Sequence, residues 1–137
     1  MIMYIFERRS PRMELADEMN AIERALSVLR LPAAPGEYDM HAMVKGALSA
    51  AGIDARHEVR LCPGCRIDFL CGRVGIEVKK GKPVRRALLV QIERYAACPE
   101  VEGIVIVAPG DARLPRAVKG VPVRCVALGR LWGVALP

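Results

Sequence analysis

Apolar positions along the chain change period several times, and each period predicts an element. In "SPRMELADEMNAIERALSVLR", Leu15, Met19, Ile22, Leu26 and Leu29 recur at 4-3-4-3 spacing, the stripe of an amphipathic helix. Ser10 stands as its N-cap and Pro11 at its first helical position. The stripe suits packing on the domain or, more sharply, a dimer seam, although two heptads are short for a coiled coil. The preceding "MIMYIFERRSP" reads as a strand, because its basic residues follow the apolar run, the reverse of a secretory signal. "LPAAPG" reads as a linker. Glu37 then opens a second helix, with Met40, Val44, Ala47 and Leu48 as its apolar stripe and Gly52 as C-cap.

Beyond this helix the period drops to two. "ARHEVRL", "RIDFL" and "VGIEVKK" read as strands, and Pro83 starts a helix that runs to about residue 97. "EGIVIVAPG" is a continuous β-branched run, as expected of a strand buried on both faces. Helix 83–97 is then the crossover of a right-handed βαβ unit. "VPVRCVALG" reads as the last strand. From residue 37 the order is α-β-β-β-α-β and then more β, which is an α/β sheet with helices on it. One domain fits 137 residues, with an N-terminal extension at 1–35, a core at 36–108 and a C-terminal strand and tail at 109–137.

The alternation in "RIDFLCGRVGIEVKK" carries the chemistry. A two-residue turn at Gly72-Arg73 sets Cys71 against Val74, Phe69 against Ile76 and Asp68 against Glu77. Asp68, Glu77 and Lys79 then share one face, and Ile67, Phe69, Ile76 and Val78 the other. Directly opposed like charges destabilise a hairpin, so something must offset them. Lys79 does part of this. A hard divalent cation such as Mg²⁺ does it better, and it also activates a bound water. Lys79 would orient the attacking water or balance charge on a phosphorane. The plainer alternative is a solvated face with incidental charges, which a central position in the sheet disfavours.

Composition adjusts this picture in three ways. The net charge of +6, with a pI near 9.4, suits a polyanion such as nucleic acid, or simply a basic surface. The apolar runs are shorter than a membrane span, so the expectation is a soluble, cytoplasmic protein with reduced thiols. The chain lacks Thr and has one Asn and one Gln, a bias shared by thermophiles and GC-rich genomes.

Asp68, eight residues and then Glu77-Val78-Lys79 resemble the D…(D/E)-x-K motif of the PD-(D/E)XK nuclease superfamily, and the α-β-β-β-α-β order resembles its restriction-endonuclease-like core over roughly 36–108. Gln91 and Tyr95 look like the Q-x-x-x-Y motif of the RecB-like branch, four residues apart on one helix face. Ile67 stands where the motif has Pro. The resemblance implies a Mg²⁺- or Mn²⁺-dependent deoxyribonuclease, of use in DNA repair or recombination. Asp68, Glu77 and the Val78 carbonyl would hold metal, joined by Glu37 directly or through water. Asp68, Glu77, Lys79 and Gln91 would be catalytic, with Tyr95 towards the nucleic acid. Small nucleases of this fold often pair to cut two strands, so a homodimer is compatible with it. The alternative is a non-catalytic nucleic-acid-binding or assembly module of the same fold.

Lys80, Lys82, Arg85 and Arg86 in "KKGKPVRR" would hold phosphates beyond the site, or form a solvated connection. Few aromatics argue against base stacking. Among Cys62, Cys65, Cys71, Cys98 and Cys125, free or buried thiols rank first, a local disulfide second and a zinc or iron–sulfur site last. A metal at "CPGC" would have to recruit Cys71, Cys98 or a second chain, which would make this a Cys-centred metal or redox protein. His41 and His57 read as separate, solvated or core residues.

Overall fold

A computed structural model describes residues 13–31 and 39–130. The strand expected before residue 11, the cap at Ser10 with Pro11, most of the linker and Glu37 lie outside the described residues. Helix α1 (Leu15–Ser27) begins with Glu14 in the N-cap position, so its start lies four residues past the one expected from Ser10. β1 (Arg30–Leu31) follows, and then α2 (Met40–Ala50). The cap of α2 is Asp39: its Oδ1 accepts from the His41 and Ala42 amides at 3.0 and 3.2 Å. Gly52 lies just past the end of α2 with φ +74°, as a C-terminal glycine should.

The remaining elements are β2 (Arg56–Cys62), β3 (Cys65–Cys71), β4 (Val74–Val78), α3 (Arg85–Ala96), β5 (Gly103–Ala108), β6 (Ala117–Val118), β7 (Val121–Ala127) and β8 (Gly129–Arg130). The sheet runs β2-β3-β4-β5-β7-β6. β4, β5 and β7 are parallel neighbours, while β2-β3, β3-β4 and β6-β7 are antiparallel. It is a mixed six-stranded α/β sheet flanked by helices, and β1 and β8 form a separate parallel pair. The three shortest strands carry too few residues to show a period, so the sequence pattern does not reveal them.

Apolar alternation sorts side chains between two layers. Val105 and Val107 join Met19, Ile22, Leu26, Val44 and Leu48 from α1 and α2. Ile104 and Ile106 join Leu88, Ile92 and Tyr95 from α3 on the opposite face. The α1 stripe is thus spent inside the domain, which removes it as a dimer seam. Arg73 ties the β3–β4 turn to Glu18 and to the Met13 carbonyl, fixing the start of α1 over the sheet.

The hairpin register is as expected, with Phe69 on Ile76, Cys71 on Val74 and a turn in which Gly72 takes φ +60°. One expectation fails. Ile67 does not share a face with Phe69: it lies with Val59 against α3, and Phe69 lies with Ile76 and Val78 against α1 and α2. The change of layer falls at one point in the β2-β3 ladder, and the register is the same on both sides of it. Pairing runs His57 on Phe69 and then Val59 on Ile67, and Glu58, between them, adopts φ +53°. A left-handed residue turns the strand, so the side chains on either side of it point to opposite layers. Cys62 and Cys65 pair across a two-residue turn at Pro63-Gly64, and the register shifts between Arg60 and Cys62.

Candidate active site

Asp68 and Glu77 stand where the hairpin ladder ends, beside the left-handed Glu58. The last described β3-β4 pair there is Phe69 with Ile76. Beyond it, each carboxylate takes a backbone donor from the other strand. Asp68 Oδ2 accepts from the Val78 amide at 2.8 Å, and Glu77 Oε1 from the Asp68 amide at 3.4 Å. This arrangement offsets much of the repulsion expected of the pair, since hydrogen bonds to ionised acceptors are the strong ones.

Glu77 is 5% exposed and is the one buried charged side chain among the described residues. Helix α3 supplies its partners. Gln91 Nε2 donates to Glu77 Oε2 at 2.9 Å and to Tyr95 Oη at 2.9 Å. Tyr95 Oη lies 2.9 Å from Glu77 Oε1 and 3.0 Å from the Arg66 carbonyl, one hydroxyl proton facing two acceptors. Lys79 Nζ is 3.3 Å from Glu77 Oε2. Burial first, and the Asp68 charge second, push the Glu77 carboxyl up, against the pull of Tyr95 and Lys79. Burial and the neighbouring Glu77 charge also push the Tyr95 phenol up, which keeps it a proton donor.

The structure therefore brings together Asp68, Glu77, Lys79, Gln91 and Tyr95, five residues from three elements. Two expectations change. Tyr95 is 2% exposed and sealed under the sheet, so it cannot touch a nucleic acid. Its hydroxyl positions Glu77 instead. Nor are the histidines separate. His41 Nε2 is 3.7 Å from Asp68 Oδ2, His41 Nδ1 is 2.9 Å from His57 Nε2, and the His57 ring stacks on Phe69 with centroids 4.7 Å apart. A signal for His41 was present: it precedes Val44 and Leu48 at helical spacing, hence on the inner face of α2.

Basic residues border this cluster unevenly. A cleft of about 700 Å³ is lined by Lys82, Arg85 and Arg113, with Pro83 and Asp111. A smaller hollow of about 210 Å³, lined by Lys79, Pro83, Ala87 and Gln91, shares Pro83 with it. Lys80 and Arg86 are exposed and lie outside both linings. Arg85 Nε donates to the Arg113 carbonyl at 3.2 Å, joining the two walls of the cleft.

The cysteines depart furthest from expectation. Cys62 is bonded to Cys98, so neither is a free thiol, and the link is not the local one within "CPGC". Cys65 and Cys71 are buried thiols, and Cys125 is half-buried. Burial pushes Cys71 up to about 12, which makes it inert.

Among the described residues no helix is long and apolar enough to cross a membrane. Compared with known proteins, the chain matches no family model, no curated protein and no solved structure.

Proposed function

We propose that the protein is a metal-dependent nuclease that hydrolyses phosphodiester bonds in DNA, with a restriction-endonuclease-like core at residues 36–108. The carrying observation is the convergence of Asp68, Glu77, Lys79 and Gln91 at one strand end, beside a cleft lined by Lys82, Arg85 and Arg113. The donor set fits a hard cation. Asp68, Glu77 and the Val78 carbonyl offer oxygen only, as Mg²⁺ and Mn²⁺ prefer. The Lys79–Glu77 contact is the one such a cation replaces, and its loss frees the ammonium for substrate. When bound, the ion would polarise a phosphoryl oxygen and activate a water. Lys79 then stabilises charge developing on the phosphoryl oxygens, and Gln91 and Tyr95 hold Glu77 in place. Lys82 and Arg85 take the flanking phosphates.

A second reading rests on a different observation. Both Glu77 oxygens already accept two donors each, so the carboxylate is satisfied with no cation. This favours a nucleic-acid-binding module that keeps the fold without catalysis. Labelled single-stranded, duplex and branched DNA incubated with Mn²⁺ separates the two. The nuclease reading expects cleavage of at least one substrate, lost in Asp68→Asn. Binding without cleavage, together with no saturable Mn²⁺ heat, leaves the module.

A further inference from the structure

Three features lie outside the proposed chemistry: the His41–His57 pair, the apolar hollow beside α1, and the sulfur cluster at the far end of α3. The first touches Asp68 and belongs to the site, and nothing in the structure shows what covers the second. The third stands by itself. The sulfurs of Cys62, Cys65 and Cys98 all lie within 4.8 Å of one another, the one such three-ligand group among the described residues.

We infer that Cys62, Cys65 and Cys98, once reduced, form a thiolate site for one Zn²⁺ ion that pins the C-terminal end of α3 to the β2–β3 turn. The geometry suits it. Zinc–sulfur bonds of about 2.3 Å put tetrahedral ligand sulfurs roughly 3.8 Å apart, inside the observed spread. Pro63-Gly64 makes a tight turn, with Gly64 at φ +75°, and Cys62 and Cys65 are paired across it. Both sulfurs therefore come from one knuckle, and Cys98 is added from just past α3. A disulfide between Cys62 and Cys98 uses two sulfurs and leaves Cys65 beside them without a role. A metal uses all three.

Burial and charge fit as well. Cys65 and Cys98 are buried and Cys62 is half-buried, so the fourth position opens on the Cys62 side, where water completes the coordination. Burial pushes the Cys65 thiol up, and the Arg94 charge pulls part of the way back towards the thiolate. The chemistry balances. Two equivalents of a cellular thiol reduce the Cys62–Cys98 bond with two electrons and two protons, and are oxidised to their own disulfide. Binding of Zn²⁺ then releases three protons from the three thiols. The zinc-loaded cluster carries net charge −1, which Arg94 offsets.

The test uses the full chain purified under reductant and without chelator. Elemental analysis should find one zinc per chain. Exchange for Co²⁺ should give a sulfur-to-cobalt charge-transfer band, which an oxygen-ligated ion at Asp68 and Glu77 cannot produce. Cys62→Ser, Cys65→Ser and Cys98→Ser should each lose the band, and Cys125→Ser should keep it. Should the serine variants fail to fold, alkylation of the wild type answers instead: zinc should protect Cys62, Cys65 and Cys98 until a chelator is added. Absence of zinc and of the cobalt band in reduced protein would overturn the site. Iron with acid-labile sulfide would overturn the assignment of the ion. Neither result bears on DNA cleavage, whose failure would leave this site standing.

Discussion

The two faces of the central sheet are built by different rules. The face under α1 and α2 is mostly hydrocarbon, with Met19, Leu26, Val44, Leu48, Phe69, Ile76 and Val105 fully or nearly buried and His41 and His57 packed beside Phe69. Its polar groups, such as Arg124 with Asn20 and Glu23, sit at the rim. The face under α3 is no less buried, yet it admits Glu77, Tyr95 and three sulfurs. Both faces descend from the same alternating strands. What differs is where alternation is interrupted. Alternation reverses between the pairs His57–Phe69 and Val59–Ile67, beside the left-handed Glu58, and the carboxylates collect there. The fold is carried by the face that obeys the pattern, and the chemistry by the face that breaks it.

That contrast can be broken from either side. On the apolar face, Phe69→Ala should cost about 3–5 kcal/mol by the usual scale for buried aromatics, read from denaturant melts. It should also loosen His57, which stacks on the ring. On the α3 face the largest effect should be on rate. Lys79→Ala should lower single-turnover cleavage by about 10²–10³ at saturating Mn²⁺, while melts stay close to wild type. Lys79→Arg should restore only part of the rate, because a guanidinium is larger and holds its proton. Wild-type turnover in Lys79→Ala would mean that Lys79 takes no part in the cleavage.

Tyr95→Phe should cost less, about 1–3 kcal/mol, because the one hydroxyl proton shared by Glu77 Oε1 and the Arg66 carbonyl is lost inside the sheet. The smallest effect is a slope. The folded chain holds the Glu77 proton to higher pH than the unfolded chain does. Below the ordinary carboxylate range both states are protonated, and this contribution to stability is fully present. As pH rises, the unfolded chain ionises first, so metal-free stability should fall until the pH passes the raised folded value, and then level off. Glu77→Gln should flatten that segment of the melting-temperature profile. An unchanged profile in this variant would mean that another group sets the slope.

Much of this was legible in local pattern. The turn at Gly72-Arg73, the pairing of Phe69 with Ile76, and the shared helix face of Gln91 and Tyr95 follow from parity and helical spacing, and the structure has them. What escaped was non-local or against the pattern. No propensity argument places a glutamate at positive φ, so the turnover at Glu58 and the flip of Ile67 were invisible. His41 reaches Asp68 across 27 residues, and Cys98 reaches Cys62 across 36. Such contacts depend on how helices seat on the sheet, which spacing within one element does not encode. Tyr95 was placed on the correct face, but the depth of that face came only with the packing of α3.

The Cys62–Cys98 link has a topological consequence. It closes a ring of chain, and Asp68, Glu77, Lys79, Gln91 and Tyr95 all lie on that ring. In the chain-entropy picture a closed loop of this size removes about 4 kcal/mol of freedom from the unfolded ensemble. The tether therefore acts before any native contact forms. Even in denaturant the two ends of the segment that holds the site stay together, while Met19 and Val123, which complete the two layers, wander freely. While the bond is intact, the ring shortens the search of the segment that holds the site.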